Sequence, residues 1–259
     1  MLQVSWGVKS LDNALGMIRG GTLTLFYGNA GTGKTTLASM VPIMRIIQEY
    51  GKPDENDVFI IIDTEGGFDV ERFKQILHNN GIDFDEIKHN IEYYEVTEFD
   101  EQHSLIKNLP KMLKDEGKKP LLVSVDTITS IYRGIILRTP LKNRLATIGE
   151  YTGKIDLQVS YLRRIAVKYG IPVYITTWSS SRVGEQLTTK DNKEPIPPEA
   201  PFIGGRLLTF MPKVIAELRM PDRFSPVRQL ILWKSRDRPA GLQATFKLCD
   251  AGIEGVENG

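Results

Sequence analysis

Short apolar runs alternate along the chain with longer stretches whose apolar residues recur at helical spacing. The runs Thr22–Tyr27, Val58–Asp63, Ile91–Val96, Leu121–Asp126 and Val173–Trp178 have strand length. The stretches Lys34–Glu49, Val70–Asn79, Glu101–Glu116 and Asp156–Tyr169 predict helices. This alternation predicts an α/β fold, a mainly parallel sheet covered by helices on both faces. After Trp178 the texture changes. Ser179–Phe202 is polar, carries Pro195, Pro197, Pro198 and Pro201, and predicts a long mobile loop. Val214–Met220, Gln229–Trp233 and Thr245–Leu248 then predict a terminal antiparallel extension. There is no internal repeat or low-complexity linker, so residues 1–259 are read as one domain.

Composition narrows the class. Hydrophobic residues make up 41% and charged residues 25%, which excludes a disordered or collagen-like chain. A single cysteine, Cys249, excludes a disulfide framework and a cysteine-based zinc site. No apolar run approaches the roughly 20 residues of a membrane helix. The start MLQVSWGVKS lacks the order of a signal peptide, so a cytoplasmic location without membrane partners is expected. The net charge of +1 hides an asymmetry. Gly51–Gln102 holds 15 acidic and 4 basic residues, whereas Arg133–Lys168 holds 8 basic and 2 acidic. These are either two solvated faces or a basic surface meeting an anionic partner.

The chemistry starts at the segment Gly28, Asn29, Ala30, Gly31, Thr32, Gly33, Lys34, Thr35, Thr36, which contains the P-loop spacing between a predicted strand and a predicted helix. Glycines let backbone N–H groups converge on phosphates, and a helix N-terminus adds a favourable dipole. Lys34 is placed to reach the β- and γ-phosphates of ATP, and the Thr35 hydroxyl to ligate Mg²⁺. Downstream, LLVSVD ends a buried strand in Asp126, a second metal-facing oxygen ligand. In DTEGGFDVER a strand ends in Asp63 and Glu65 follows in a turn before Gly66 and Gly67. Glu65 either orients a water for attack on the γ-phosphate or is a helix cap or surface acid. His78, His89 and His103 have no ligand spacing and read as surface residues, and no nucleophile elbow, HExxH pair or GxGxxG is present.

Together these segments resemble the RecA/RadA recombinase family, archaeal RadA paralogues above all, from about Val4 to about Ile253. The resemblance implies a RecA-like P-loop ATPase core. GVKSLDNALG resembles the family's entry to that core, and DTEGGFDVER its signature around the catalytic glutamate, which gives Glu65 that role beside Lys34. VSVDTITSIYR resembles the Walker B strand. RTPLKNRLATI resembles the first DNA-binding loop, which makes Arg138, Lys142 and Arg144, with nearby Arg133, candidate contacts to single-stranded DNA. PFIGGRLLTFMPKVIAEL, with Gly204 and Gly205, resembles the segment closing the second such loop. In WKSRDRP, Lys234 and Arg236 match positions that RecA-like and KaiC-like assemblies set against a neighbour's γ-phosphate; the alternative is a basic strand end facing solvent.

The sequence also departs from that family. Only 27 residues precede Gly28, so no long filament is expected. The Arg182–Pro201 segment has 3 basic and 4 acidic residues, unlike a DNA-gripping loop. Trp178 stands where the family has a polar sensor. A donor-only indole cannot copy an amide, so weak coupling between ATP and DNA is expected, unless Trp178 is a core aromatic. Tyr151 is either a base-stacking face or a half-buried aromatic, and at most one of Arg163 and Arg164 is expected to touch DNA. The resulting expectation is a slow, Mg²⁺-dependent ATPase that binds single-stranded DNA and modulates a RadA-type recombinase in DNA repair. A KaiC-like signalling ATPase acting on protein partners is the alternative.

Overall fold

A computed structural model of the protein describes residues 2–180, 202–204 and 207–256; residues 181–201 of the expected loop Ser179–Phe202, and Gly205, lie outside them. The chain opens with a short hairpin, β1 (Gln3–Val4) and β2 (Ile18–Arg19), around helix α1 (Lys9–Leu15). Then follow β3 (Thr22–Gly28), α2 (Val41–Tyr50), β4 (Asp57–Asp63), α3 (Val70–Asn79), α4 (Phe84–Ile87), β5 (Ile91–Glu95) and α5 (Phe99–Asp115). Next come β6 (Lys119–Asp126), α6 (Ser130–Arg138), α7 (Leu141–Tyr169), β7 (Pro172–Thr177) and α8 (Leu207–Phe210). The chain closes with β8 (Val214–Arg219), β9 (Val227–Lys234), β10 (Gln243–Cys249) and β11 (Gly252–Gly255).

The nine strands from β3 onward form one sheet, in the order β11-β10-β9-β8-β3-β7-β6-β4-β5. From β8 to β5 every pairing is parallel, and β8 to β11 forms the expected antiparallel extension. Strands covered on both faces need apolar residues at consecutive positions, which explains runs such as Val58–Ile62. Phe59 and Ile61 pack toward α2 and α3. Val58, Ile60 and Ile62 pack toward α5 and α7.

Two differences from the expected helices bear on the site. The helix expected from Lys34 runs through a π turn, Thr36–Met40, before α2. Pro42 lacks an N–H and crowds the carbonyl four residues back, which accounts for the widened turn. More consequential is the stretch expected as a DNA-binding loop. Arg138 ends α6, and α7 starts at Leu141, so Lys142 and Arg144 are helical. Pro140 caps α7, a place where a proline interrupts no hydrogen bond; only Thr139 and Pro140 separate the helices.

Candidate nucleotide site at the carboxyl edge of the sheet

β3 delivers the chain to Gly28, where a side chain would collide with the Leu218 carbonyl: a Cβ would lie 2.4 Å from its oxygen. Gly33 sits at φ +92°, which favours glycine, and its Cα faces the Leu248 side chain. The loop is therefore shaped by glycine where the backbone must turn and approach closely. Asn29, Ala30 and Gly31 are exposed at its tip, and the buried Thr32 hydroxyl donates to the Asn29 carbonyl at 2.9 Å. Arg228 of β9 ties the loop to the extension by donating to the Gly31 carbonyl at 2.9 Å. Thr36 opens the π turn.

Lys34 is buried. Its ammonium donates to the carbonyls of Gly28 and Asn29 at 3.1 and 3.0 Å. Burial pulls its pKa down, partly offset by the carboxylates of Asp126 and Glu65. Asp126, at the end of β6, accepts hydrogen bonds from Thr35 Oγ1 on one oxygen and from Thr176 Oγ1 of β7 on the other. Burial pushes its carboxyl up, and the two hydroxyls oppose that shift. Register explains the meeting: β7 lies between β3 and β6, so a threonine near its end reaches the neighbouring aspartate.

The turn after β4 is built by Asp63. Its buried carboxylate accepts from the backbone N–H groups of Glu65 and Phe68 at 2.9 and 2.8 Å and from Tyr93 Oη at 3.1 Å. Gly66 takes φ +66° in this turn, and Gly67 comes to lie beside Thr35 and Asp126. Glu65 is exposed, and its Oε1 accepts from Thr127 Oγ1 at 3.2 Å and from the indole N–H of Trp178. Trp178 is half-buried at the mouth of the site, not in the core. Lys34 Nζ stands 4.7 Å from its ring centre and the Arg133 guanidinium carbon 5.5 Å.

Lys34, Thr35, Asp126 and Glu65, from three separate segments, are thus brought together. The donor set fits a magnesium nucleotide: hard hydroxyl and carboxylate oxygens for a cation that keeps most of its waters, and a lysine with backbone amides for phosphate. Sequence reasoning missed Asp63 as the brace of the Glu65 turn and Thr176 as a partner of Asp126. The signal for Thr176 was present: two threonines end the otherwise apolar run VYITT.

The remaining candidates divide. Arg133, Arg138 and Lys142 are exposed. Arg144 is half-buried, with Nη2 donating to the Thr139 carbonyl at 3.2 Å, so it caps α6 instead of reaching outward. Tyr151 packs edge-on against Phe99 at 4.8 Å, which is the half-buried alternative and not a stacking platform. His78 and His89 are exposed as expected, but His103 is half-buried, and burial lowers its pKa. Arg163 and Arg164 are both exposed. Lys234 is half-buried, and its Nζ donates to the carbonyls of Thr209, Phe210 and Pro212 at 2.8, 2.9 and 2.9 Å. In this single chain the three ammonium protons are engaged at the end of α8 and just beyond it. Arg236 stays exposed, lining a cleft of about 720 Å³ at the end of the sheet opposite the P-loop.

Comparison with known proteins shows the family and the fold. The Rad51 family model matches residues 1–255. The chain belongs to the Rad51 family. It is 32% identical over 255 residues to the DNA repair and recombination protein RadB of Thermococcus onnurineus, covering 98% of this chain and 97% of that protein. RadB of Methanothermobacter thermautotrophicus is 30% identical, with 95% and 93% covered. The DNA repair and recombination protein RadA of Ignicoccus hospitalis is 27% identical, covering 99% of this chain and 74% of that protein. A crystal structure of the RadB recombinase covers 98% of this chain and all of its own, with TM-score 0.69 and 30% identity. The protein is a RadB-like member with the RecA-like fold.

Proposed function

We propose that this Rad51-family protein is a Mg²⁺-dependent ATPase that acts in DNA repair and recombination by binding single-stranded DNA and modulating a RadA-type recombinase. The carrying observation is the meeting of Lys34, Thr35, Asp126 and Glu65 at one sheet edge. Lys34 and the loop amides would bind the phosphates, and Thr35 and Asp126 would hold Mg²⁺ through hydroxyl, carboxylate and water. The metal supplies charge neutralisation at the phosphates. Glu65 orients the attacking water and Lys34 steadies the charge that builds on the transferred group. Lys34→Ala is expected to lose nucleotide binding. Glu65→Gln is expected to keep binding and lose turnover, because shape is retained while the carboxylate is removed. Nucleotide affinity by calorimetry and phosphate release check both, and parental turnover in Glu65→Gln refutes the assignment.

The DNA reading rests on Arg133, Arg138 and Lys142, exposed on α6 and the start of α7, and on relatives named for DNA repair and recombination. The protein-partner reading rests on Leu137, Leu141 and Leu145 on the same arm, exposed at 64, 72 and 84%. A stripe of that exposure, interleaved with cations, suits a protein surface better than a phosphate backbone. Arg236 is the cation left for a neighbouring copy's nucleotide.

A further inference from the structure

We propose that Trp178 is a positioning residue that restrains Glu65 and so keeps hydrolysis slow. The inference rests on the reading of Glu65 as the water-orienting carboxylate. It starts from three contacts made by one side chain. The indole N–H donates to Glu65 Oε1, Lys34 Nζ lies 4.7 Å from the ring centre, and the Arg133 guanidinium lies at 5.5 Å.

The ring has little freedom to move away. Trp178 directly follows β7, whose residues 172–177 are buried between β3 and β6. Its carbonyl accepts from the Ile203 N–H at 3.0 Å, and Ser179 bridges Phe202. The other partner is equally fixed, because the Glu65 N–H is bound to the buried Asp63 carboxylate at 2.9 Å. The indole–carboxylate bond thus joins two anchored backbones.

Its consequence lies in lone pairs. A carboxylate offers about four acceptor positions, and a base that orients water must keep one aimed at that water. Here both donors, Trp178 Nε1 and Thr127 Oγ1, fall on the same oxygen. They hold the carboxylate plane by one edge and draw charge from it. A charge-assisted bond of this kind must be broken or bent before Glu65 can swing toward a phosphate. An amide in place of the indole would be smaller and could turn to accept as well as donate; an indole cannot.

Trp178→Phe keeps the ring under both cations and deletes only the N–H. The expected result is a rise in kcat of about tenfold, the order of one charge-assisted hydrogen bond, with KM for ATP unchanged. The gain should vanish in Trp178→Phe combined with Glu65→Gln. A kcat at or below the parental value overturns the proposal. If Glu65→Gln alone still hydrolyses, the reading of Glu65 fails instead, which separates the two failures. The contact itself has a readout independent of turnover. The chain has three tryptophans, and sequential backbone assignment of the parent protein identifies the indole N–H resonance of Trp178. In the Glu65→Gln protein without nucleotide this resonance is expected to move. A resonance left in place means that the bond is absent, and the proposal falls even if Trp178→Phe misfolds.

Discussion

The carboxyl edge of the sheet and the α6–α7 arm carry comparable numbers of charged side chains, yet they treat them oppositely. At the edge each charge is engaged within the chain: Lys34 by two carbonyls and a ring, Asp126 by two hydroxyls, Glu65 by Thr127 and Trp178. On the arm, Arg138 and Lys142 make no hydrogen bond or ion pair among the described residues, and three leucines face outward. The first region is preorganised and stores electrostatic cost in the fold. The second spends nothing until a partner arrives. Catalytic geometry demands the former, because groups that must act within tenths of an ångström need fixed neighbours. A surface that follows a flexible polymer or docks a protein needs no such bracing.

The contrast breaks first if Asp126 proves expendable. Burial raises its carboxyl, so the folded state holds the proton more tightly than the unfolded chain does. Stability from this group is therefore present below the ordinary carboxylate range and declines as pH rises toward the raised folded value. Where the carboxyl is ionised, the buried charge is a net cost to the ligand-free protein. Asp126→Asn should raise its Tm by about 2–4 °C, the shift that about 1 kcal/mol gives a chain of this length. The same variant should lose Mg²⁺-dependent ATP hydrolysis by roughly 10²-fold or more. In the parent, Mg²⁺ dependence should weaken on acidification, as protonation removes the ligand. Calorimetry and a magnesium titration at two pH values check this. A variant with lower Tm and intact hydrolysis would show that Asp126 braces the fold and does not serve a metal.

Why these two regions differed in legibility follows from the range of the interactions. The P-loop was readable because its chemistry lies in nine consecutive residues with a strand before and a helix after. Apolar runs located the central strands to within a residue or two, since strands covered on both faces leave little ambiguity of register. The bond from Trp178 to Glu65 spans 113 positions and depends on strand order, which no local pattern encodes. The contacts of Lys234 were illegible for the same reason. Its place in WKSRDRP marked it only by resemblance, and the return of α8 to the end of β9 supplies the three carbonyls that hold it. Around Pro140 the local signal was genuine but ambiguous, since proline ends one helix and starts another equally well.

Next in size is the arm. Replacing Arg133, Arg138 and Lys142 with alanine removes three exposed cations. If all three meet phosphates, the salt dependence of single-strand affinity should flatten by about 2 in slope, at roughly 0.7 per contact. Anisotropy across a salt series measures it, and an unchanged slope assigns the arm to protein contacts. Leu141→Gln with Leu145→Gln sharpens the same choice. These exposed positions should change stability by no more than about 0.5 kcal/mol each. A lost RadA-type partner with retained DNA affinity would divide the arm into two functions, and a large drop in Tm would show that the leucines are covered after all.

The smallest expected effect is communication between the two regions. Trp178 touches both, with Lys34 on the P-loop side and Arg133 on the arm side. Each cation–ring contact at a partly exposed site contributes about 0.5–1 kcal/mol. Nucleotide that draws Lys34 from the ring can change what Arg133 experiences by no more than that, so the two ligands should alter each other's affinity by at most about fivefold. The factor must be equal in both directions, because binding linkage is reciprocal. Single-strand affinity with and without Mg²⁺ and a non-hydrolysable ATP analogue, and analogue affinity with and without DNA, give both sides of the cycle. Arg133→Ala should abolish what coupling there is. A change well beyond tenfold, or one that survives Arg133→Ala, would mean that the regions communicate by a route other than this ring, and the division between a braced site and an open arm would have to be redrawn.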